Sequence, residues 1–139
     1  MLVSVVIPVY NQLPRVLKLC TSILEHPQKK VAQILLVDDC STEFNLPELV
    51  GHPFSVVRSN QNQGFVKTEN SGARLAKLGE LLLFLNSDIE VHANWLDPAV
   101  KLMEENSAIG VVGLKLVFPP NEKSEVAIQS CGGLYDIGR

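Results

Sequence analysis

The chain has 139 residues, 46% hydrophobic and 19% charged, with a formal net charge of −3, which fits one folded domain with its own core and excludes a disordered or fibrous class. Without a basic surplus it lacks the electrostatic footprint of a nucleic-acid binder, so no nucleic-acid partner is expected. No apolar run approaches the roughly 20 residues of a membrane-spanning helix, and Met1-Leu2-Val3-Ser4 lacks the basic region of a secretory signal, so a cytoplasmic chain without a membrane span is expected. Cys20, Cys40 and Cys131 form neither an even disulfide set nor a close metal-type pair; they read as reduced, with Cys20 a core residue.

Val3 to Ile7 is a short β-branched run closed by Pro8, which cannot donate to a ladder. Tyr10-Asn11-Gln12 reads as a loop. Leu13, Val16, Leu17, Cys20, Ile23 and Leu24 then recur at helical spacing, with Pro14 where a first turn tolerates it, and this helix is expected to end near His26-Pro27. Gln33 to Val37 is the second strand. Pro47, Gly51 and Pro53 leave room for only a helical turn at Leu46 to Val50 before a third strand at Phe54 to Arg58. A polar loop, Asn60 to Gly64, feeds a helix from Phe65 to Leu78 that is expected to stop at Gly79.

Leu81 to Leu85 is the strongest strand signal: five apolar residues without alternation, which predicts burial on both faces. It runs directly into Asn86-Ser87-Asp88. Trp95 to Glu105 reads as a helix. Ile109 to Val112 and Leu114 to Phe118 read as strands split by Gly113, Pro119 to Lys123 as a turn, and Val126 to Arg139 as a glycine-marked segment without a period. Helices alternating with apolar strands predict a three-layer α/β/α domain on a mostly parallel sheet, one domain over residues 1–139. The rhythm breaks after Asp88, with too few elements for a second domain.

If the strands are parallel, the acids that end them share the carboxyl rim where open α/β sheets bind ligands. Asp88 could hold a hard divalent cation that also grips phosphate oxygens; Asn-Ser-Asp is equally good turn chemistry, and both readings stay open at this point. Asp38 and Asp39 point to opposite sides of an extended backbone, so only one faces a pocket. That carboxylate can accept from a base N–H or a sugar hydroxyl, or cap a short helix in a polar turn. Asn62-Gln63-Gly64 can offer backbone amides to an anion but lacks any recognised phosphate-loop spacing. Asn70 shares a helical face with Val66 and Ala73, which predicts a buried amide tying loops together. His26, His52 and His92 have no ligand-like spacing. Trp95 and Phe65 are expected in the core rather than as base-stacking platforms, and nothing supports covalent catalysis.

Taken together, Ser4-Val5-Val6-Ile7-Pro8-Val9-Tyr10-Asn11, Leu36-Val37-Asp38-Asp39-Cys40-Ser41, Asn62-Gln63-Gly64 through Asn70-Ser71-Gly72, and Leu85-Asn86-Ser87-Asp88 resemble the successive motifs of family 2 glycosyltransferases. The resemblance implies a GT-A fold, a nucleotide-sugar donor, and inverting transfer to an acceptor hydroxyl on a glycan or lipid-linked molecule, usually with Mg²⁺ or Mn²⁺. Pro8, Tyr10 and Asp39 would then border the nucleoside, with Asp39 bonding the base. Asn11, Asn62, Gly64, Asn70 and Ser87 would fall among the substrate-binding positions. Asp88 matches the last acid of the family's DxD motif and would hold the metal. Asn86 stands where the first acid would be, able to bond a ribose or sugar hydroxyl but adding no charge.

Asn-x-Asp followed by Ile89-Glu90-Val91 and Val112-Gly113-Leu114-Lys115-Leu116 resembles the branch of rhamnosyl and related transferases that build bacterial surface polysaccharide or O-antigen. That branch implies a cytoplasmic enzyme, membrane-peripheral in its full-length form. Family members carry a general base and an acceptor region downstream of a segment like Gln129-Ser130-Cys131-Gly132-Gly133. Residues 1–139 contain neither, so the expectation is a chain that binds nucleotide and transfers sugar poorly or not at all. Two other readings are a non-catalytic nucleotide-binding module of a larger protein and a sugar nucleotidyltransferase. The latter calls for a glycine-rich basic loop after the first strand, which Pro8-Val9-Tyr10-Asn11-Gln12 does not supply.

Overall fold

The structure is a computed structural model that describes residues 1–43, 53–119 and 127–131. The chain divides into two compact units, Met1–Asp97 and Pro98–Arg139. The first carries strand β1 (Val3–Val9), helix α1 (Leu13–Glu25), β2 (Val31–Asp38), β3 (Phe54–Arg58), α2 (Phe65–Leu75) and β4 (Leu81–Phe84). The four strands form one parallel sheet in the order β3-β2-β1-β4. The expected turn at Leu46 to Val50 lies outside the described residues.

Sheet order fixes where the helices go. The crossover through α1 steps from β1 to β2, whereas the one through α2 returns from β3 across two strands to β4. Right-handed crossovers in opposite directions put their helices on opposite faces. Val6, Leu35 and Val37 are buried together with Ala76 packed on them, which identifies the face under α2. By alternation Val5, Ile7, Ile34 and Leu36 point the other way, and they too are buried. The run of seven buried residues in β1 thus reflects a central strand covered on both sides.

β1 continues through Pro8 to Val9, two residues beyond the expected stop, in register with Val37 and Asp38. In a parallel ladder alternate residues bond alternate neighbours. Leu85 N–H donates to Val6 O on the β4 side, and β1–β4 pairing ends at Val6 and Phe84. The N–H that Pro8 lacks would point to that same side, past the last paired residue, so the ladder loses nothing.

Several expectations are corrected. β4 is not buried on both faces: among the described strands it pairs only with β1, and Leu82 and Phe84 are each 45% exposed. Helix α1 buries Val16, Leu19, Cys20, Ser22 and Ile23, while Leu17 and Leu24 face out. The stripe is rotated because Ser22 is buried fully satisfied: its hydroxyl donates to Leu19 O at 2.8 Å and accepts from Val91 N–H at 3.0 Å. Burial pushes the Cys20 thiol up to about 11, which keeps it a neutral small hydrophobe.

Helix α2 ends at Leu75, short of Leu78, and its buried residues are Thr68 and Gly72. A Cβ on Gly72 would overlap Val6 Cγ1 and lie 2.9 Å from Val37 Cγ2. Glycine there lets α2 lie directly on the sheet. Gly79 is not the helix cap but a point of close approach, where a Cβ would overlap Ser4 N and sit 2.6 Å from Val3 C. Its own N–H donates to Ser4 Oγ at 2.9 Å. Because the obstacle is the backbone of the central strand, Gly79→Ala should cost about 1–3 kcal/mol. A lower urea midpoint at unchanged slope is the expected outcome.

Trp95 lies outside helical structure, its Nε1–H donating to His26 O at 3.0 Å. Helix α3 (Asp97–Glu105) begins on the last residue of the first unit, and the second unit carries the rest of it, β5 (Leu116–Val117) and β6 (Ile128–Ser130), the two strands paired antiparallel. Ile109 to Val112 is not a strand, and the pairing of Ile128–Ser130 was not legible from a segment without alternation. Among the described residues no helix is long and apolar enough to cross a membrane.

Candidate functional site

One open cleft of about 480 Å³ lies at the carboxyl ends of all four parallel strands, lined by residues that follow each of them. Pro8, Val9 and Tyr10 come from the end of β1, Asp39 from β2, Asn62 and Gly64 from the loop after β3, and Asn86, Ser87 and Asp88 from β4. Gln12 and Arg15 at the start of α1, and Phe65 and Thr68 at the start of α2, complete the wall. This is the rim at which a doubly wound sheet presents loops and helix N-termini together.

The two adjacent acids do different work. Asp38 is 0% exposed and forms an ion pair with Arg58. Its Oδ1 accepts from Ser41 N–H at 2.9 Å, and Arg58 Nη2 donates to Ser41 O at 2.6 Å. That closed set shapes the turn after β2 and leaves Asp38 out of the cleft. Asp39, 3% exposed, faces the cleft instead. Its Oδ1 accepts from Gln63 N–H and its Oδ2 from Gly64 N–H, both at 2.8 Å. One carboxylate therefore latches the loop that opens α2 to the end of β2. Each oxygen keeps a second lone pair.

Asn11 is not part of the cleft lining. Its Oδ1 accepts from Thr42 N–H at 2.9 Å and Glu43 N–H at 3.2 Å, while its N–H donates to Ser41 Oγ at 2.9 Å. The side chain is committed to joining the β1 and β2 loops. Asn11 and Gln12 both lie in the left-handed region, at φ 56° and 59°. Asparagine tolerates this and glutamine less so, and such strain persists where surrounding bonds over-determine it. Asn70 is likewise outside the cleft, and it is exposed rather than a buried amide. The packed face of α2 runs through Thr68 and Gly72, which rotates Asn70 outward.

Phe65 departs from its expected place in the core: it is 56% exposed, Tyr10 is 50% exposed, and both rings line the cleft. Arg15, Gln12 and Thr68 were not singled out from sequence. For Arg15 a signal existed, since a cation in the first turn of a helix runs against the macrodipole and invites an explanation. Its Nη1 lies 3.8 Å from Asp88 Oδ2, with the two side chains 60% and 52% exposed.

Asp88 makes no hydrogen bond among the described residues and opens onto the cleft beside Asn86 and Ser87. No group of three or more His, Cys, Asp or Glu able to hold a metal occurs among the described residues. The donors present are one carboxylate, one amide oxygen and one hydroxyl. That set fits a hard divalent cation of the kind that takes one or two protein carboxylates and completes its shell with substrate phosphates and water.

The sequence profile of glycosyl transferase family 2 matches residues 4–129. An uncharacterized glycosyltransferase of Haemophilus influenzae is 28% identical over 140 residues, covering 92% of this chain and 47% of that protein. Human N-acetylgalactosaminyltransferase 7 is 32% identical over 95 residues, covering 63% of this chain and 14% of that one. Among solved structures, GalNAc-T7 with UDP, GalNAc and Mn²⁺ superposes with a TM-score of 0.68 at 28% identity, covering 76% of this chain and 21% of that one. S. aureus TarS in complex with UDP-GlcNAc gives 0.68 at 27% identity, covering 77% and 32%. The chain thus spans less than half the length of these relatives. The parallel sheet with its flanking helices is a GT-A fold, shared with these glycosyltransferases. With its motifs at four strand ends and the family profile matched over nearly its whole length, the chain belongs to glycosyl transferase family 2.

Proposed function

We propose that this chain is the donor-binding part of an enzyme that moves a sugar, with inversion, from a nucleotide diphospho-sugar to an acceptor hydroxyl. The observation that carries this is the convergence of Asp39, Asp88 and two exposed aromatic rings on one cleft at the strand ends. Tyr10, Pro8 and Phe65 offer apolar surface to a base, while Asp39, already fixed by two amides, keeps lone pairs for a base N–H. Asn62 and the Gly64 loop border the same pocket. Asn86 offers an amide to a ribose or sugar hydroxyl.

Asp88, with Asn86 and Ser87 beside it, is where Mg²⁺ or Mn²⁺ would be held. Such a cation neutralises charge developing on a departing nucleoside diphosphate. GalNAc-T7 is solved with UDP and Mn²⁺, which supports a cation here. Among the described residues the cleft has two carboxylates, Asp39 and Asp88; this reading gives both to the donor and assigns the base that receives the acceptor's proton to another group. The branch resemblance of Asn86-Ser87-Asp88 favours an acceptor in bacterial surface polysaccharide, and the Haemophilus influenzae relative is compatible with it.

A thermal-shift panel of UDP, TDP, GDP and CDP with Mn²⁺ tests this. Ligand that binds only the folded state raises Tm, by an amount set by its concentration over Kd. One of the four should raise Tm well above the others and so name the donor base. No shift with any of them would contradict the proposal.

A further inference from the structure

We propose that Arg15 binds the diphosphate of the donor, and that its pairing with Asp88 in the ligand-free protein keeps both charges ready for exchange. The inference rests on the donor-site reading above. Among the described residues lining the cleft Arg15 is the one cation, beside the carboxylates of Asp39 and Asp88. A diphosphate entering beside those acids needs positive charge from the protein as well as from any cation. A guanidinium supplies it as a planar fork that matches two phosphate oxygens.

The pair with Asp88 does not account for Arg15 by itself. At 3.8 Å, with both side chains more than half exposed, such a pair adds little to stability. The first turn of α1 has no acid to offset the cation, which the helix dipole disfavours there. An anion in the cleft relieves both. One turn further along, Lys18 Nζ lies 4.0 Å from Glu90 Oε1, tying the same 88–90 segment to α1 without lining the cleft. If Arg15 were only a latch, Lys18 would duplicate it. A cation held at Asp88 would leave Arg15 free for the phosphate oxygens, so that the two positive charges would act on one ligand.

The test is calorimetry in EDTA with the best nucleoside diphosphate of UDP, TDP, GDP and CDP and with its parent nucleoside, on wild type, Arg15→Ala, Arg15→Lys and Lys18→Ala. Arg15→Ala should weaken diphosphate binding about tenfold or more, the scale of a hydrogen bond to a charged group. Nucleoside binding should not change. Arg15→Lys should recover part of the loss, and Lys18→Ala should match wild type. Asp88→Asn in EDTA should bind the diphosphate at least as tightly as wild type. Unchanged diphosphate affinity in Arg15→Ala, or an equal loss for diphosphate and nucleoside, overturns the proposal. If wild type binds none of the four diphosphates, the donor-site reading falls and takes this proposal with it.

Discussion

With alanine in place of Asp39, affinity for the nucleoside part of the donor should fall at least about tenfold, and stability should fall by about 2 kcal/mol. Both losses have one cause. The carboxylate accepts from two backbone amides, Gln63 N–H and Gly64 N–H, and bonds of this charged type contribute on the order of 1.5–3 kcal/mol each. Gln63 is exposed and Gly64 half-buried, so the freed amides recover part of that from water. What is not recovered is the position of the loop: Gly64 opens α2 and brings Phe65 to the cleft wall. Asp39→Asn should not rescue, because its NH₂ group must face one of the two donors. The measurement is titration with UMP or TMP in EDTA alongside urea unfolding. Unchanged nucleotide affinity would remove Asp39 from the base site.

Asp88→Ala should act in the opposite manner, leaving stability within about 0.5 kcal/mol of wild type while abolishing the divalent-cation-dependent part of diphosphate binding. Its carboxylate is 52% exposed and its ion pair with Arg15 spans 3.8 Å, so folding depends on it little. It is, however, the one carboxylate at the end of β4 that lines the cleft. Asn86→Asp should then strengthen the cation's effect, since a second acid adds charge to the same rim. An Asp88→Ala protein whose diphosphate affinity still rises with Mn²⁺ would assign the cation to other groups.

The four parallel strands were legible because each carries a short apolar run, Val5 to Ile7, Ile34 to Val37, Val56-Val57 and Leu81 to Phe84, beside single polar residues such as Ser4, Gln33 and Ser55. The depth of burial was less so. Leu81 to Leu85 reads like an inner strand, yet β4 pairs on one side only among the described residues. In α1 the apolar stripe is wide enough to be rotated, and Leu19 replaces Leu17 in the core because a buried serine hydroxyl anchors the far end.

The cleft followed the same division. Acids at strand ends could be read from sequence, since the end of an apolar run fixes where the next side chain emerges. The division of labour between Asp38 and Asp39 could not, because it depends on Arg58 and Gly64, which lie 20 and 25 residues away. Arg15 and Phe65 belong to helix starts, and only the folded crossovers bring them to the same wall. Asn11 and Asn70 show the converse: a residue within a motif can serve the loop or the surface rather than the pocket.

The most direct test of a donor site built from strand ends is calorimetric titration of the preferred nucleoside diphosphate into the wild-type protein with and without Mn²⁺. One binding site per chain is expected, measurable without metal and several-fold tighter with it. Equal affinity with and without Mn²⁺ would contradict the role given to Asp88, and no binding in either condition would contradict the donor site itself.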